Sequence, residues 1–226
     1  MKQREDEIQA EPLYKWLTAD GRTAVQHAPW PEAVGEWTKP EKPVLCKSGW
    51  HAMYERDVLT HLPSGTGAKL WRVEFRGEIV EGNDKIAAES MRLLYCLGET
   101  TEANLRLFAC DVAQDALSLV ESPDPRSLAA IKVARRFAVG NATRTELDAA
   151  RDAARVAAWD AAGDAAWDAA WDAAGVAAGD ARDAARDAAR YAAGVAAGYA
   201  AGVAAWSAAR ARYSNWLVVR IESGYS

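Results

Sequence analysis

The sequence predicts an α+β protein, with a small N-terminal antiparallel β-rich domain followed by an all-α, Ala-rich helical bundle that includes a long helical hairpin. Strand-like alternation and turn residues lie before residue 98, helical periodicity begins at Thr101, and Leu147 to Tyr213 repeats a four-residue unit ending in Ala-Ala. We expect a flexible N-terminus at 1–12, an α+β domain at 13–97, a helical domain at 101–213 and a tail at 214–226.

The composition limits which cellular compartment and which partners can be expected. The chain of 226 residues carries a net charge of −5 and has no block of basic residues, so we expect no nucleic-acid partner. Its three cysteines form no even framework and its start is charged, which predicts reduced thiols and a cytoplasmic location. Cys46, His51 and His61 do not have zinc-ligand spacing, so we expect no metal and interpret them as buried thiols and surface histidines.

The first domain opens with a predicted strand, Leu13 to Thr18, which ends at the turn dipeptide Asp20-Gly21. Residues 29–43 contain four prolines and are predicted to form an irregular loop. Glu55 to Leu62, closed by Pro63, is predicted to be a short helix.

A clean alternation predicts the next strand, from Lys69 to Arg76. Trp71, Val73 and Phe75 face one side and charged side chains face the other. Gly77 is predicted to end this strand, and after a turn at 82–84 the run 85–88 is predicted to form another.

Four segments of this region carry a resemblance to a known family. LCKSGWHA, a short helix around residue 58, WRVEFRGEIV and NDKIAA together resemble a small phage and prophage domain of unknown function, over residues 13–97. The family usually has phenylalanine where this chain has Trp50. The resemblance implies a phage-type context and no defined chemistry.

Helical signals follow from Thr101. Apolar residues recur with helical spacing and predict one buried face, formed by Leu105, Phe108, Val112, Ala116 and Leu119. Asp124 is the predicted N-cap of the next helix, with Pro125 at its first position, and Gly140 is predicted to end it. Thr143 and Glu146 have the spacing of a capping box that opens the repeat.

The repeat itself predicts two helices folded into a hairpin. Positions that repeat every four residues shift by about 40° around a helix with each repeat. A straight neighbouring helix therefore could not stay in contact with them along the whole run. Gly179-Asp180 interrupts the repeat with a stop and a start signal. From Leu147 to Asp180 there are seven aspartates and two arginines, and from Ala181 to Tyr213 there are five arginines and two aspartates, which favours antiparallel pairing. A single long helix and several shorter helices are the alternatives.

Two other interpretations of the repeat are weaker. Residues 191–209 contain no charge and hold glycines in GxxxGxxxG spacing, as in membrane dimerisation helices, but alanine dominates over aliphatic residues and we expect no membrane span. Aspartates four residues apart could imitate DNA phosphates, yet the drift of the stripe and the neighbouring arginines favour an internally paired face.

A second resemblance covers the helical region. CDVAQDALSLVE, DPRSLAAIKVARRFAVGNAT and YAAGVAAGYAAGVAA are similar to the helical immunity proteins of bacterial toxin systems, over residues 105–212. That family usually has histidines within its Ala-rich helices, and this chain has none after His61. The tail NWLVVRIE is predicted to continue the last helix, with a strand joining the first domain as the alternative.

The candidate binding residues are Trp50, His51, Arg72 and Lys85. Trp50 and His51 follow Gly49 and combine an aromatic ring with a titratable imidazole. The alternative is structural: Trp50 packs in the core, His51 satisfies a backbone group, and Arg72 and Lys85 are surface residues. We find no catalytic motif, so no catalytic residue and no cofactor are predicted.

The sequence therefore favours a non-catalytic phage- or prophage-type immunity or anti-defence protein that acts by stoichiometric binding. Its expected partner is a host or phage protein effector, such as a toxin, or a small signalling nucleotide, and homo-oligomerisation is left open. An ADP-ribosyltransferase-like or other nucleotide-handling enzyme on the first domain is the alternative. A cleft holding His51 with Glu74 or Glu78 would favour that enzyme. A structural scaffold is a further alternative.

Overall fold

The computed structural model describes residues 11–24, 27–63, 66–118, 120, 122–160 and 203–223. Within these ranges, four strands precede four helices, which confirms the α+β class. The elements are β1 Leu13–Leu17, β2 Trp50–Tyr54, β3 Lys69–Glu81, β4 Ile86–Glu99, α1 Glu102–Ser118, α2 Pro125–Ala138, α3 Arg144–Asp160 and α4 Val203–Glu222.

The chain divides into two compact units. The first holds the residues up to Thr100 together with those from Leu217 onward, and the second is Thr101–Trp216. Helix α4 contributes residues to both.

The four strands of the first unit close into an antiparallel barrel in the order β1-β2-β4-β3. Strand β1 pairs with β3 along its whole length, from Leu13 opposite Val73 to Leu17 opposite Lys69, but with β2 at only two residue pairs. Apolar side chains from all four strands fill the interior; they are Leu13, Leu17, Ala52, Tyr54, Val73, Phe75, Ile86, Ala88, Met91 and Leu93.

Strand β3 is longer than predicted, because Gly77 does not end it. The pairing jumps from Arg76 opposite Ser90 to Ile79 opposite Ala88, which leaves one extra residue on β3. Gly77 absorbs this bulge with a φ of +79°, a conformation that glycine adopts without steric cost. The predicted break is therefore a bulge within a continuous strand.

The predicted helix from Glu55 to Leu62 is also wrong. A single 3-10 turn, Glu55–Asp57, is followed by irregular turns. The segment is short, and isolated short helices are unstable without a packed face of several turns. Trp16 instead fastens the segment to β1, because its indole Nε1 donates a 2.9 Å hydrogen bond to the Val58 carbonyl oxygen.

The sequence correctly predicts where α2 begins and ends and where α3 begins. The Asp124 side chain accepts a 2.7 Å hydrogen bond from the Arg126 N–H at the start of α2, and Gly140 follows its end with a φ of +76°. Thr143 and Glu146 form the predicted capping box at the start of α3, since each backbone N–H donates to the other side chain. The predicted buried face of α1 is confirmed at Leu105, Phe108, Val112 and Ala116.

The tail is helical, as predicted, because α4 continues to Glu222. Its last turn packs against β4 at Gly98, where an added Cβ would lie 2.7 Å from the Ile221 carbonyl oxygen. The predicted hairpin about residue 179, and most of the repeat, lie outside the described residues.

No helix in the described ranges has both the length and the apolar character needed to cross a bilayer.

Candidate functional site

The central residue of the candidate site is Lys15, a lysine on the inner side of a barrel strand. Side chains two residues apart on a strand share a face. Leu13 and Leu17 belong to the barrel core, and Lys15 lies between them with only 7% of its surface exposed. An ammonium group at such a position loses most of its hydration, which is unfavourable unless another group compensates it.

The ammonium group of Lys15 lies where the barrel wall is open. The pairing of β1 with β2 covers Leu13 opposite Tyr54 and Tyr14 opposite Met53 and goes no further. Beyond this point Lys15 Nζ donates a 2.7 Å hydrogen bond to the backbone carbonyl oxygen of His51. The Lys15 side chain therefore bridges β1 and β2 at a position where the two strands form no backbone pair.

A partly open cavity of about 150 Å³ lies at this gap. Its wall combines cationic or titratable side chains with apolar ones, and the described residues that line it are Lys15, Trp16, Thr23, Ala24, Cys46, His51, Ala52, Met53, His61 and Lys85. Two lysines and two histidines thus line the cavity, while none of its described lining residues is an aspartate or glutamate. Such a wall favours a negatively charged ligand.

Lys15 has no carboxylate partner among the described residues. Its contacts are the His51 carbonyl oxygen and the ring of Trp30, whose centroid lies 5.3 Å from Nζ. Burial lowers the pKa of Lys15 from its ordinary 10.5 to about 8. At neutral pH the amine is therefore mainly charged, with a minor uncharged fraction.

The surroundings of His51 favour its neutral imidazole form. Burial is the main cause that lowers its pKa, and the positive charges of Lys15 and Lys85 lower it further. Its Nε2 accepts a 3.0 Å hydrogen bond from the backbone N–H of Cys46, so that nitrogen carries no proton. The ring thus ties the loop before β2 to the cavity wall.

The loop before β2 has a constrained backbone that sets the position of His51. Cys46 has a positive φ of 62°, which is uncommon for a residue with a side chain. Gly49 has a φ of +78°, and a Cβ there would lie 2.8 Å from Pro43 Cα and 2.9 Å from the Ala88 carbonyl oxygen. Position 49, at the end of the loop before β2, therefore requires glycine.

His61 and Lys85 complete the wall from two other segments. His61 Nε2 lies 3.1 Å from a carboxylate oxygen of Asp84, close enough for an ion pair when the ring is protonated. His61 Nε2 has no hydrogen-bond partner among the described residues, so this is an electrostatic contact rather than a directed bond. Asp84 neighbours Lys85 in the chain, and Lys85 is half-buried.

The structure separates the four predicted binding residues. His51 and Lys85 line the same cavity. Trp50 packs edge to face against Trp30, with ring centroids 5.2 Å apart, and donates to the Lys39 carbonyl oxygen. Arg72 lies elsewhere on the barrel, where its guanidinium donates a 2.8 Å hydrogen bond to the Leu13 carbonyl oxygen.

The sequence analysis did not include Lys15 or His61 among the candidate binding residues. The pattern Leu13-x-Lys15-x-Leu17 contained a signal for the first, because a lysine in phase with two core leucines must be buried or break the strand. His61 and Cys46 do line the cavity together with His51, but the described residues contain no group arranged to hold a metal. The expectation of a buried thiol is wrong for Cys46, which is exposed, and the expected surface histidines His51 and His61 are half-buried.

The carboxylates considered for the enzyme interpretation are not among the described residues of the cavity wall. Glu74 accepts a 2.7 Å hydrogen bond from Arg92 Nε on the neighbouring strand. Glu78 is exposed at the bulge of β3. The described wall therefore offers cations and a neutral imidazole around a small space, which is suited to binding an anion.

Fold and site together define a small antiparallel barrel with a lysine-lined cavity in its wall. No protein-family model, curated protein or solved structure matches the chain.

Proposed function

We propose that this protein acts by stoichiometric binding, and that the cavity beside Lys15 holds a small anionic group of its ligand. The observation that supports this most is the buried ammonium group of Lys15, which no described carboxylate neutralises. A buried cation without a counter-ion is unfavourable, and an anionic ligand would supply the missing charge. Lys85 adds a second positive charge on the same wall.

The size of the cavity limits what can enter it. An apolar cavity of about 150 Å³ accommodates a molecule the size of benzene. A carboxylate or phosphate group with a few carbon atoms fits such a space, whereas a whole nucleotide does not. A signalling nucleotide or an acidic protein effector would therefore insert only one charged end.

In this proposal the protein is a cytoplasmic immunity or anti-defence protein of phage or prophage type. The segments that resemble a phage domain and the helical immunity proteins support that context. The barrel provides the cavity, and the Ala-rich region, as a helical hairpin within a bundle, provides a scaffold. The nucleotide-handling enzyme gains no support from the described wall, because neither Glu74 nor Glu78 is among its residues.

Calorimetric titration with inorganic phosphate, acetate and pyruvate tests the binding. We expect saturable binding of at least one of these anions by the full chain, weakened at least tenfold by Lys15→Met and by Lys85→Ala. Lys132→Met is the matched control, because Lys132 is exposed on α2 in the other unit. Absence of binding by all three anions, or equal binding by the Lys15→Met protein, would contradict the proposal.

A further inference from the structure

We propose that Lys15 captures small α-keto acids covalently, as a reversible imine between its Nζ and the keto carbon. This inference rests on the proposed function, since the same cavity must first admit the carboxylate of the ligand. It adds a bond-forming role for Lys15 that anion binding alone does not require.

The position of Lys15 meets the needs of an imine-forming amine. The nucleophile is the uncharged amine, which lysine reaches near neutral pH when burial removes the hydration of the ammonium ion. With a pKa of about 8, roughly a quarter of the Lys15 side chains are uncharged at pH 7.5. No described carboxylate opposes loss of the proton by stabilising the charged form.

The His51 carbonyl oxygen orients the amine without blocking it. It accepts a single hydrogen bond from Nζ, at 2.7 Å. An uncharged amine has two N–H bonds and one lone pair, so one N–H keeps the contact to His51. The lone pair and the other N–H remain for a ligand in the cavity that Lys15 lines.

The remaining wall suits a short keto acid. Lys85 offers a positive charge for the carboxylate. Trp16, Ala52 and Met53 are buried apolar residues that limit the water around the carbon atoms. The volume of about 150 Å³ matches a ligand with roughly the number of heavy atoms in benzene, as in pyruvate.

The bond changes balance without another reactant. The Nζ lone pair adds to the keto carbon, and the π electrons of the C=O bond move to oxygen, which takes up a proton as nitrogen loses one. The C–O bond then breaks, the oxygen leaves as water with a second proton from nitrogen, and a C=N bond forms.

The described wall contains no carboxylate base that would carry the reaction past the imine, and its His51 Nε2 already accepts the Cys46 N–H. Further chemistry on a keto-acid imine needs a base that removes a proton from the adjacent carbon, and carboxylates commonly do this. None lines the described part of the cavity. We therefore expect capture and release by hydrolysis, which agrees with stoichiometric binding.

Borohydride trapping tests the imine directly. The full-length protein is incubated with pyruvate, reduced with sodium borohydride and analysed by intact-mass spectrometry and peptide mapping. We expect one reduced pyruvate adduct per chain, located at Lys15, that saturates with pyruvate concentration. Acetate has the charge but no keto group, so it should form no adduct and should compete with pyruvate.

Variants separate this inference from the binding proposal. Lys15→Arg keeps a cation but cannot form an imine, so it should bind acetate and give no adduct. Lys85→Ala should still give the adduct at Lys15, at pyruvate concentrations at least tenfold higher. Acetate or pyruvate binding by the wild-type protein without an adduct at Lys15, or adducts spread equally over exposed lysines such as Lys132, would overturn the imine alone. Absence of any anion binding would overturn both proposals.

Discussion

Lys15 Nζ lies 2.7 Å from the carbonyl oxygen of His51, and this contact crosses the place where β1 and β2 cease to pair. The same histidine accepts a hydrogen bond from the Cys46 N–H through Nε2. One residue therefore connects a buried amine, a constrained loop and the wall of the cavity.

Replacing Lys15 by methionine should stabilise the protein, because the lysine is held in an environment that disfavours its charge. The pKa of Lys15 falls from 10.5 to about 8 on folding, so below pH 8 the folded state carries the whole cost of burying the ammonium ion. This cost declines as pH rises from 8 towards 10.5. We expect Lys15→Met to gain about 3 kcal/mol at pH 7 and progressively less above pH 8.

Urea unfolding between pH 6 and 10 measures this gain. Lys132→Met, at an exposed position, should change stability by less than about 0.5 kcal/mol throughout. A Lys15→Met protein less stable than wild type at pH 7 would show that the lysine is compensated in the folded state.

His51→Ala should loosen the loop before β2. It removes the acceptor of the Cys46 N–H, and loss of such a hydrogen bond costs about 1 kcal/mol. Because the folded state lowers the pKa of His51, the wild type should also lose stability as pH falls through the usual titration range of histidine, and the variant should lose less.

Amide hydrogen exchange at Cys46 reports the loop, and urea unfolding at pH 5 and pH 7.5 reports the pH effect. His27→Ala is the control, since His27 is exposed in a neighbouring loop. Unchanged exchange at Cys46 in the His51→Ala protein would argue against the hydrogen bond as the restraint.

Gly49→Ala should destabilise the first unit more than another glycine substitution at similar φ. A Cβ at Gly49 would lie 2.8 Å from Pro43 Cα and 2.9 Å from the Ala88 carbonyl oxygen, and these backbone atoms cannot easily move. We expect a loss of more than about 2 kcal/mol. Gly35 has a φ of +88° and open space around it, so Gly35→Ala should cost about 1 kcal/mol, from the conformation alone. Equal losses of stability for Gly49→Ala and Gly35→Ala in urea unfolding would contradict the predicted steric clash at Gly49.

The proposed hairpin can be tested by cross-linking across its two arms. Folding about residue 179 places Asp168 opposite Arg190, so Asp168→Cys with Arg190→Cys, in a background where Cys46 and Cys96 are serine, should form a disulfide under mild oxidation. The control pair, Asp152→Cys with Arg190→Cys, is displaced by about four helical turns and should remain reduced. Gel mobility without reductant measures the bond. Cross-linking of the control alone would indicate a different register.

Local sequence signals determined where α2 and α3 begin. Asp124 with Pro125, and Thr143 with Glu146, act through hydrogen bonds within three residues, so their outcome needs no distant contact. The alternation from Trp71 to Phe75 likewise predicts its own strand. These interactions join residues within one turn or one strand, so they can be predicted from the local sequence.

The tertiary structure alone decided the length of β3, the loss of the helix after β2 and the site. Gly77 becomes a bulge because β4 continues to pair beyond it, a condition set by another strand. The cavity joins Lys15, His51, His61 and Lys85, which come from separate segments and meet because the barrel closes with a gap between β1 and β2. The sequence by itself determined that Lys15 is in phase with two core leucines. Only the closed barrel determined that its amine faces a cavity and lacks a described carboxylate partner. Burial and charge pairing depend on residues far apart in the chain, so the local sequence does not reveal them.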